Sequence, residues 1–460
     1  MRLNSAGWNY QKYLNNSMRK PFPIFLLCLS LSGFNGICAT PEKTPKQDIQ
    51  ANPLHARGTF NLYEAHEANL SDPPAGFTPC YLSHYGRHGG RVLGSSSDYI
   101  SITRVLEAAR EEGFLTELGE NLHSHICDLY EAFVRHRLGD LTDFGWEQVK
   151  AIGARTAQLY PDIFFDGAKV YAISSEEMRC VLTMSAFSLG LQSVNPKLSV
   201  RANQSPNELD KVRPGSEDNP WYEPYEYYSY PGGETDEKYA KRRIPTSECL
   251  QIIGRLVSNQ DWIKENVDDL YEYCRALYKY CSSLSCFHPG EAVEDEIFTQ
   301  AEWFDFWEAG NVQFCAIGVR NRDKNLPILR HLVEDADADL SDGGYDARLR
   351  FGHDTNMMSL LVWLGANGMD RTVSSNDKLA SVWQNWNVPM GGTMELVFYR
   401  ASTDAAAAKY KDNILVKLVL NGEDATLSSK IKPATGCFYR WSDVKAYVKG
   451  LKTIIEKKSK

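Results

Sequence analysis

The spacing of apolar and polar positions along the 460-residue chain changes several times, and each change marks an element. A short, partly apolar run over residues 77–82 reads as a strand, and Gly89 and Gly90, followed by Gly94 and three serines, read as the loop after it. From 98 to 138 the apolar residues recur at intervals near three and four, among them Ile100, Leu106, Leu118, Leu122, Ile126 and Phe133, which predicts helix. Gly139 to Gly145 interrupts that pattern, and Thr142 is a good N-cap for a helix over 146–160. The alternation then repeats: a strand over 168–173, a polar turn from Ser174 to Arg179, a helix over 180–191. Much later 346–351 alternates as a strand, ahead of a helix over about 356–364 stopped by Gly365. Residues 391–400 and 414–420 read as two antiparallel strands joined by a loop holding Ala405 to Ala408, and Asn421-Gly422 reads as a tight turn. The tail from Trp441 reads as a basic surface helix, and there is no internal repeat. Strands alternating with helices predict an α/β fold, a mainly parallel central sheet flanked by helices in three layers (α/β/α).

Residues 200–315 break the rhythm. Runs at 250–256, 262–280 and 298–306 carry helical periodicity, so an inserted, mostly α-helical domain is expected there, with 57–199 and 316–460 forming the α/β domain. The aromatic run 221–230 is expected to pack against the inserted helices, lining of a substrate cleft being the alternative. Lys238, Lys241, Arg242 and Arg243 read as a solvated basic face, contact with an anionic substrate being the alternative. At the other end, Met18-Arg19-Lys20 precedes an apolar run at 25–31, and Ala39 offers a small residue for cleavage. Residues 1–39 thus read as a signal peptide with an upstream extension before Met18, and 40–56 as a polar linker. The expected location is outside the cytoplasm, periplasmic or secreted. The apolar run is too short to span a bilayer, and the bulk of Ile37 before Cys38 argues against a lipid anchor.

Composition narrows the function classes. A formal net charge of −9 argues against a general nucleic-acid binder, and it requires any polyanionic ligand to be drawn in by a local basic pocket. Export makes disulfides possible; Cys274, Cys281 and Cys286 are close in sequence, and their pairing is open. No Cys-x-x-Cys or His-Glu-x-x-His pattern occurs, so neither a metal nor another cofactor is expected.

The residues with the clearest chemistry are Arg87-His88-Gly89-Gly90-Arg91, at the end of the first strand. Two guanidinium groups flank an imidazole, and two glycines let a large anion approach the backbone. A neutral ring nitrogen in such a place can attack phosphorus without a metal. Arg179, where the second strand meets a helix, and His353-Asp354, at the end of the strand over 346–351, lie at equivalent places, where α/β folds put their ligands. His84 competes as nucleophile by proximity but lacks the flanking arginines, and reads as structural or as pocket wall.

The pentapeptide resembles the Arg-His-Gly-x-Arg signature of the histidine acid phosphatases, and His353-Asp354 resembles that family's second motif in the same order and at a similarly wide separation. Arg179, after Ser174-Ser175, is similar to the family's further phosphate-binding arginine, and Leu141-Thr142 with Gly145 and Gln148 to a segment that packs beside the site. The resemblance implies a phosphomonoesterase acting on a small-molecule phosphate monoester at acid to neutral pH without added metal. Arg87, Arg91, Arg179 and His353 would bind the phosphate, His88 would form a phosphohistidine and Asp354 would serve as general acid. Leu93 stands where the family often has proline, and His353-Asp354-Thr355 is more similar to bacterial phytases and glucose-1-phosphatases than to the His-Ala-Glu form common in inositol polyphosphate phosphatases. Phytate, other inositol phosphates and sugar phosphates stay open as substrates. A phosphomutase-type transferase and an inactive phospho-ligand-binding protein are the alternatives, and oligomeric state is not legible.

Overall fold

The structure, a computed structural model, describes residues 44–66, 70–219, 234–287, 296–320 and 322–458. The expected signal peptide and the aromatic run 221–230 lie outside the described residues. Among the described residues, one mixed sheet holds nine strands: β1 (Phe77–Arg87), β2 (Lys169–Ser174), β3 (Ser199–Asn203), β4 (Ala347–Gly352), β5 (Thr393–Ala401), β6 (Ile414–Leu420), β7 (Glu423–Ala425), β8 (Pro433–Thr435) and β9 (Phe438–Arg440). They lie in the order β3-β2-β4-β1-β5-β6-β9-β8, with β7 on β6. The half that carries the motifs, β3-β2-β4-β1, is parallel, and the pairing turns antiparallel from β1 onward. β1 runs five residues past its predicted end because Leu82 to Arg87 pair in register with Ala347 to Gly352. With β4 on one side and β5 on the other, and helices over both faces, β1 is buried continuously from Tyr81 onward instead of alternating.

In chain order the helices are α1 (Pro45–Ala51), α2 (Ser97–Glu111), α3 (Glu117–Leu129), α4 (Asp143–Leu159), α5 (Met178–Val194), α6 (Asp236–Arg243), α7 (Thr246–Gly254), α8 (Gln260–Asn266), α9 (Leu270–Ser283), α10 (Gln300–Arg320), α11 (Leu326–Asp342), α12 (Asp354–Leu364), α13 (Asp404–Tyr410) and α14 (Trp441–Lys458). One face of the sheet is covered by α4 and α5, where Val149, Ile152 and Phe187 join Leu82, Leu349 and Phe351. The other is covered by α11, α12 and α14, where Leu332, Met358 and Val444 join Tyr85, Leu396 and Phe398. A separate core is mostly helical: Ile102 and Leu106 of α2, Leu122 and Ile126 of α3, Ile253 of α7, Leu277 of α9 and Trp307 of α10. Each large apolar side chain buried this way stabilises by ~1.5–3 kcal/mol.

Several elements depart from the sequence expectation for local reasons. The single helix read over 262–280 is two, α8 and α9, because Asp269 caps a new start by accepting from the Glu272 N–H. The loop around Ala405 to Ala408 is α13: Thr403 caps it, and four alanines carry the strongest helix propensity. α14 is not merely a surface helix, since Trp441, Val444, Val448 and Leu451 are buried against the α11–α12 face. The polar stretch from Thr44 forms α1, with a capping box between Thr44 and Gln47, and then a 3₁₀ segment, Pro53–Phe60. No disulfide joins the nine cysteines of the described residues. The basic run ends α6 and is balanced there: Lys241 pairs with Glu237, Arg242 with Glu234 and Asp377, and Arg243 with Asp305 and Glu308.

Candidate active site

Three neighbouring parallel strands, β2, β4 and β1, end at one edge of the sheet. The backbone ties between them continue past the strands: the Ser175 N–H donates to Phe351 O (2.9 Å) and the His88 N–H to Gly352 O (3.1 Å). The segments carrying Arg179, His353-Asp354 and Arg87 to Arg91 are thereby brought together. Beneath them, a slip of one residue between β1 and β4 would exchange the side chains packed against α4 and α5 for those packed against α11 and α12.

His88 is buried at 2% exposure, and its Nδ1 lies 2.9 Å from Gly89 O. A carbonyl oxygen only accepts, so Nδ1 carries the proton and Nε2 is left with the free lone pair. Burial first, and then Arg87 and Arg91, push the ring's pKa well below its ordinary value of 6.5. The ring stands edge-on to that of His353, 5.8 Å between centroids. His353 is likewise pushed well down, by burial and then by Arg213 and Arg179, and its Nε2 lies 3.1 Å from Ser175 Oγ.

Arg87 is buried. Its Nη1 donates to Thr59 O (2.5 Å) and Val388 O (2.7 Å), and its Nη2 meets Asp354 Oδ2 at 2.7 Å. Asp354 opens α12, and its other oxygen accepts from the Thr355 N–H at 2.8 Å. Arg91 donates to Val92 O and lies over the Phe60 ring at 5.9 Å. Burial lowers the pKa of both Arg87 and Arg91, and for Arg91 the next cause is Arg179. Arg179, in the first turn of α5, pairs with Glu177 at 2.9 Å while its charge acts on His88, Arg91 and His353. It therefore has the acidic partner that an ordinary helix arginine would have, and it also belongs to the cluster.

All six residues singled out in the sequence meet here; His84 does not. It is fully buried, with Nδ1 3.3 Å from Glu395 and its ring against Phe187 (4.8 Å) and Phe351 (5.3 Å).

The sequence reading missed Arg213, which follows a 3₁₀ turn at Pro206–Lys211 and meets Glu176 at 2.5 Å and Glu177 at 3.1 Å. No motif surrounds it, and it falls in the stretch assigned to the insertion. Ser175 was seen only as part of a polar turn, and its bond to His353 spans 178 residues. The cluster as a whole is a buried concentration of positive charge around one neutral nucleophilic nitrogen, with the Asp354 carboxylate at the N-terminus of α12 on Arg87 and Glu176 and Glu177 on the outer arginines. Such an arrangement can bind a tetrahedral oxyanion and exchange a proton beside it. Among the described residues there is no group of three or more His, Cys, Asp and Glu side chains placed to hold a metal ion, and no helix long and apolar enough to cross a membrane.

No family profile and no curated protein matches the chain. By structure, it is similar to the multiple inositol polyphosphate phosphatase of Bifidobacterium longum in its apo form, with a TM-score of 0.68 and 16% identity over 85% of this chain and 97% of that one. It is also similar to the phytase of D. castellii, with a TM-score of 0.63 and 16% identity over 90% of this chain and 88% of that one. For the phytase of Citrobacter braakii the TM-score is 0.53 and the identity 14%, over 81% of this chain and 98% of that one. At these identities the likeness is one of fold.

Proposed function

We propose that this chain, which has the fold of the histidine acid phosphatases, is an exported phosphomonoesterase working through a phosphohistidine. The observation that carries the reading is the meeting of Arg87, Arg91, Arg179 and His353 around the unprotonated Nε2 of His88, with Asp354 beside them.

The phosphate dianion binds among the three arginines and His353. His88 Nε2 donates its electron pair to phosphorus, the bond from phosphorus to the ester oxygen breaks, and the departing alkoxide takes the proton of Asp354. Water then attacks phosphorus, Asp354 accepts its proton, and the P–N bond breaks, returning the electron pair to Nε2 and releasing inorganic phosphate. In the free site Asp354 is paired with Arg87. A bound phosphate competes for that guanidinium and frees the carboxyl to face the leaving oxygen. The arginines offset the charge of the transferring group throughout.

Arg213, its side chain 31% exposed beside the cluster and paired with Glu176 and Glu177, is the nearest cation to meet a second phosphate by exchanging those partners. That agrees with the fold's likeness to a phosphatase crystallised with inositol hexasulfate and with phosphate. The leader-like residues 18–39 support export. The test is phosphate release from phytate, glucose 1-phosphate and p-nitrophenyl phosphate by wild type and His88→Ala, with trapping of an acid-labile, alkali-stable phosphoprotein. Wild type should turn over without added metal and the variant should lose at least ~10³-fold. Full turnover by His88→Ala would refute the nucleophile.

A further inference from the structure

We infer that Gln148 is a positioning residue for His88, an inference that rests on the phosphohistidine chemistry proposed above. Gln148 lies on α4, buried, in the second turn after the Thr142 cap. Its side-chain amide makes three bonds, all to backbone and each to a different segment. Oε1 accepts from the Gly90 N–H at 3.0 Å; Nε2 donates to Tyr63 O at 2.8 Å and to Met390 O at 2.9 Å. One acceptor faces a donor and two donors face acceptors, so the orientation of the amide is fixed by its partners.

Each of the three segments grips the nucleophile or its neighbour. Gly90 belongs to the loop in which Gly89 O holds His88 Nδ1, and the Gly89 N–H is itself fixed by Thr183 Oγ1 at 3.1 Å. Met390 sits between Val388, whose carbonyl holds Arg87 Nη1, and Gly391 and Gly392, which bond the His88 carbonyl and the Arg87 N–H at 2.9 Å each. Tyr63 ends the segment whose Thr59 carbonyl takes Arg87 Nη1. The amide therefore ties both sides of the Arg87-His88 pair and the outer support of Arg87 to one rigid helix. A carboxylate cannot do this, since it would face two carbonyl oxygens without a proton to donate. Tyr63, whose carbonyl the amide holds, has its own hydroxyl beside Arg155 on the same helix and feels Glu395 on β5.

Gln148→Glu keeps the shape and makes the defect depend on protonation: ionised, it repels Tyr63 O and Met390 O; protonated, it regains one donor. We expect kcat to fall on the order of 100-fold at pH 7.5, with KM within about threefold, and the ratio of variant to wild-type kcat to rise several-fold by pH 5. Gln148→Met, which fills the volume without any polar bond, should lose kcat equally at both pH values. These are measured on full-length protein with p-nitrophenyl phosphate, alongside calorimetry of inorganic phosphate binding. A variant-to-wild-type ratio that stays flat for Gln148→Glu, or kcat within about threefold of wild type, overturns the inference. If the glutamate variant does not fold, Gln148→Met alone decides by the same kcat criterion. Wild type that neither binds phosphate nor turns over overturns the phosphatase reading and this inference together. An active wild type with unaffected variants overturns this inference alone.

Discussion

Two buried imidazoles among arginines set the chemistry of single residues here. An unfolded chain binds protons at these rings near pH 6.5, whereas burial and the neighbouring guanidinium groups hold the folded rings neutral well below that value. The unfolded state thus gains protons first, so stability is complete above about pH 6.5 and declines as the pH falls toward the folded pKa values. Calorimetric melting should be level from pH 7.5 to about 6.5 and then register a loss approaching ~1.4 kcal/mol per pH unit per ring down to pH 5, smaller in His353→Gln and partly reversed by inorganic phosphate. The carboxyl of Asp354 predicts a different signature. Asp354→Asn should slow an alkyl phosphate such as glucose 6-phosphate by ~10²–10⁴-fold, but p-nitrophenyl phosphate far less in the phosphorylation step, because that leaving group departs unprotonated. Equal losses in a pre-steady-state burst would exclude the acid role. These side chains were legible in the sequence because local motifs announce them. Arg213, Ser175 and the bonding of Gln148 were not, since their partners are fixed only by the sheet's register.

The elements that aim the site depend on glycines where helices and loops approach closely. A Cβ on Gly190 would lie 2.1 Å from Lys150 O, and one on Gly153 2.3 Å from Phe187 O, so α4 and α5 pack backbone to backbone. Gly190→Ala should cost at least ~1–3 kcal/mol in denaturant unfolding, because backbone atoms rather than flexible side-chain ends must move. Element boundaries were legible wherever one cap or breaker dominates: Thr142 before α4, and Gly365, left-handed at φ 63°, after α12. They failed where two caps compete within one apolar run, as at Asp269, and where alanines in a short connection looked like a loop. The full length of β1 was hidden as well, because its motif residues read as polar loop while their strand pairing is supplied by β4.

At the scale of the whole molecule, the segment preceding the sheet is part of the active site. The 3₁₀ segment from Pro53 delivers Thr59 O to Arg87, and its path is held by His55 stacked on Trp386 at 4.8 Å and by Gly58 in a left-handed conformation. A Cβ on Gly58, at φ 57°, would meet Asn385 Nδ2 at 2.8 Å. Gly58→Ala should therefore weaken inorganic phosphate binding on the order of tenfold while lowering stability by only ~1–2 kcal/mol, which titration calorimetry and melting together would separate. Unchanged phosphate affinity would mean that the strap does not steer Arg87. The central place of β1 has one more consequence. His84 of β1 and its partner Glu395 of β5 are 311 positions apart, so a nascent chain leaving the ribosome exposes both hydrogen-bonding edges of this central strand before β4 and β5 exist. At roughly 5–20 residues per second that exposure lasts on the order of half a minute, long enough for chaperones to compete with aggregation for the newborn polypeptide.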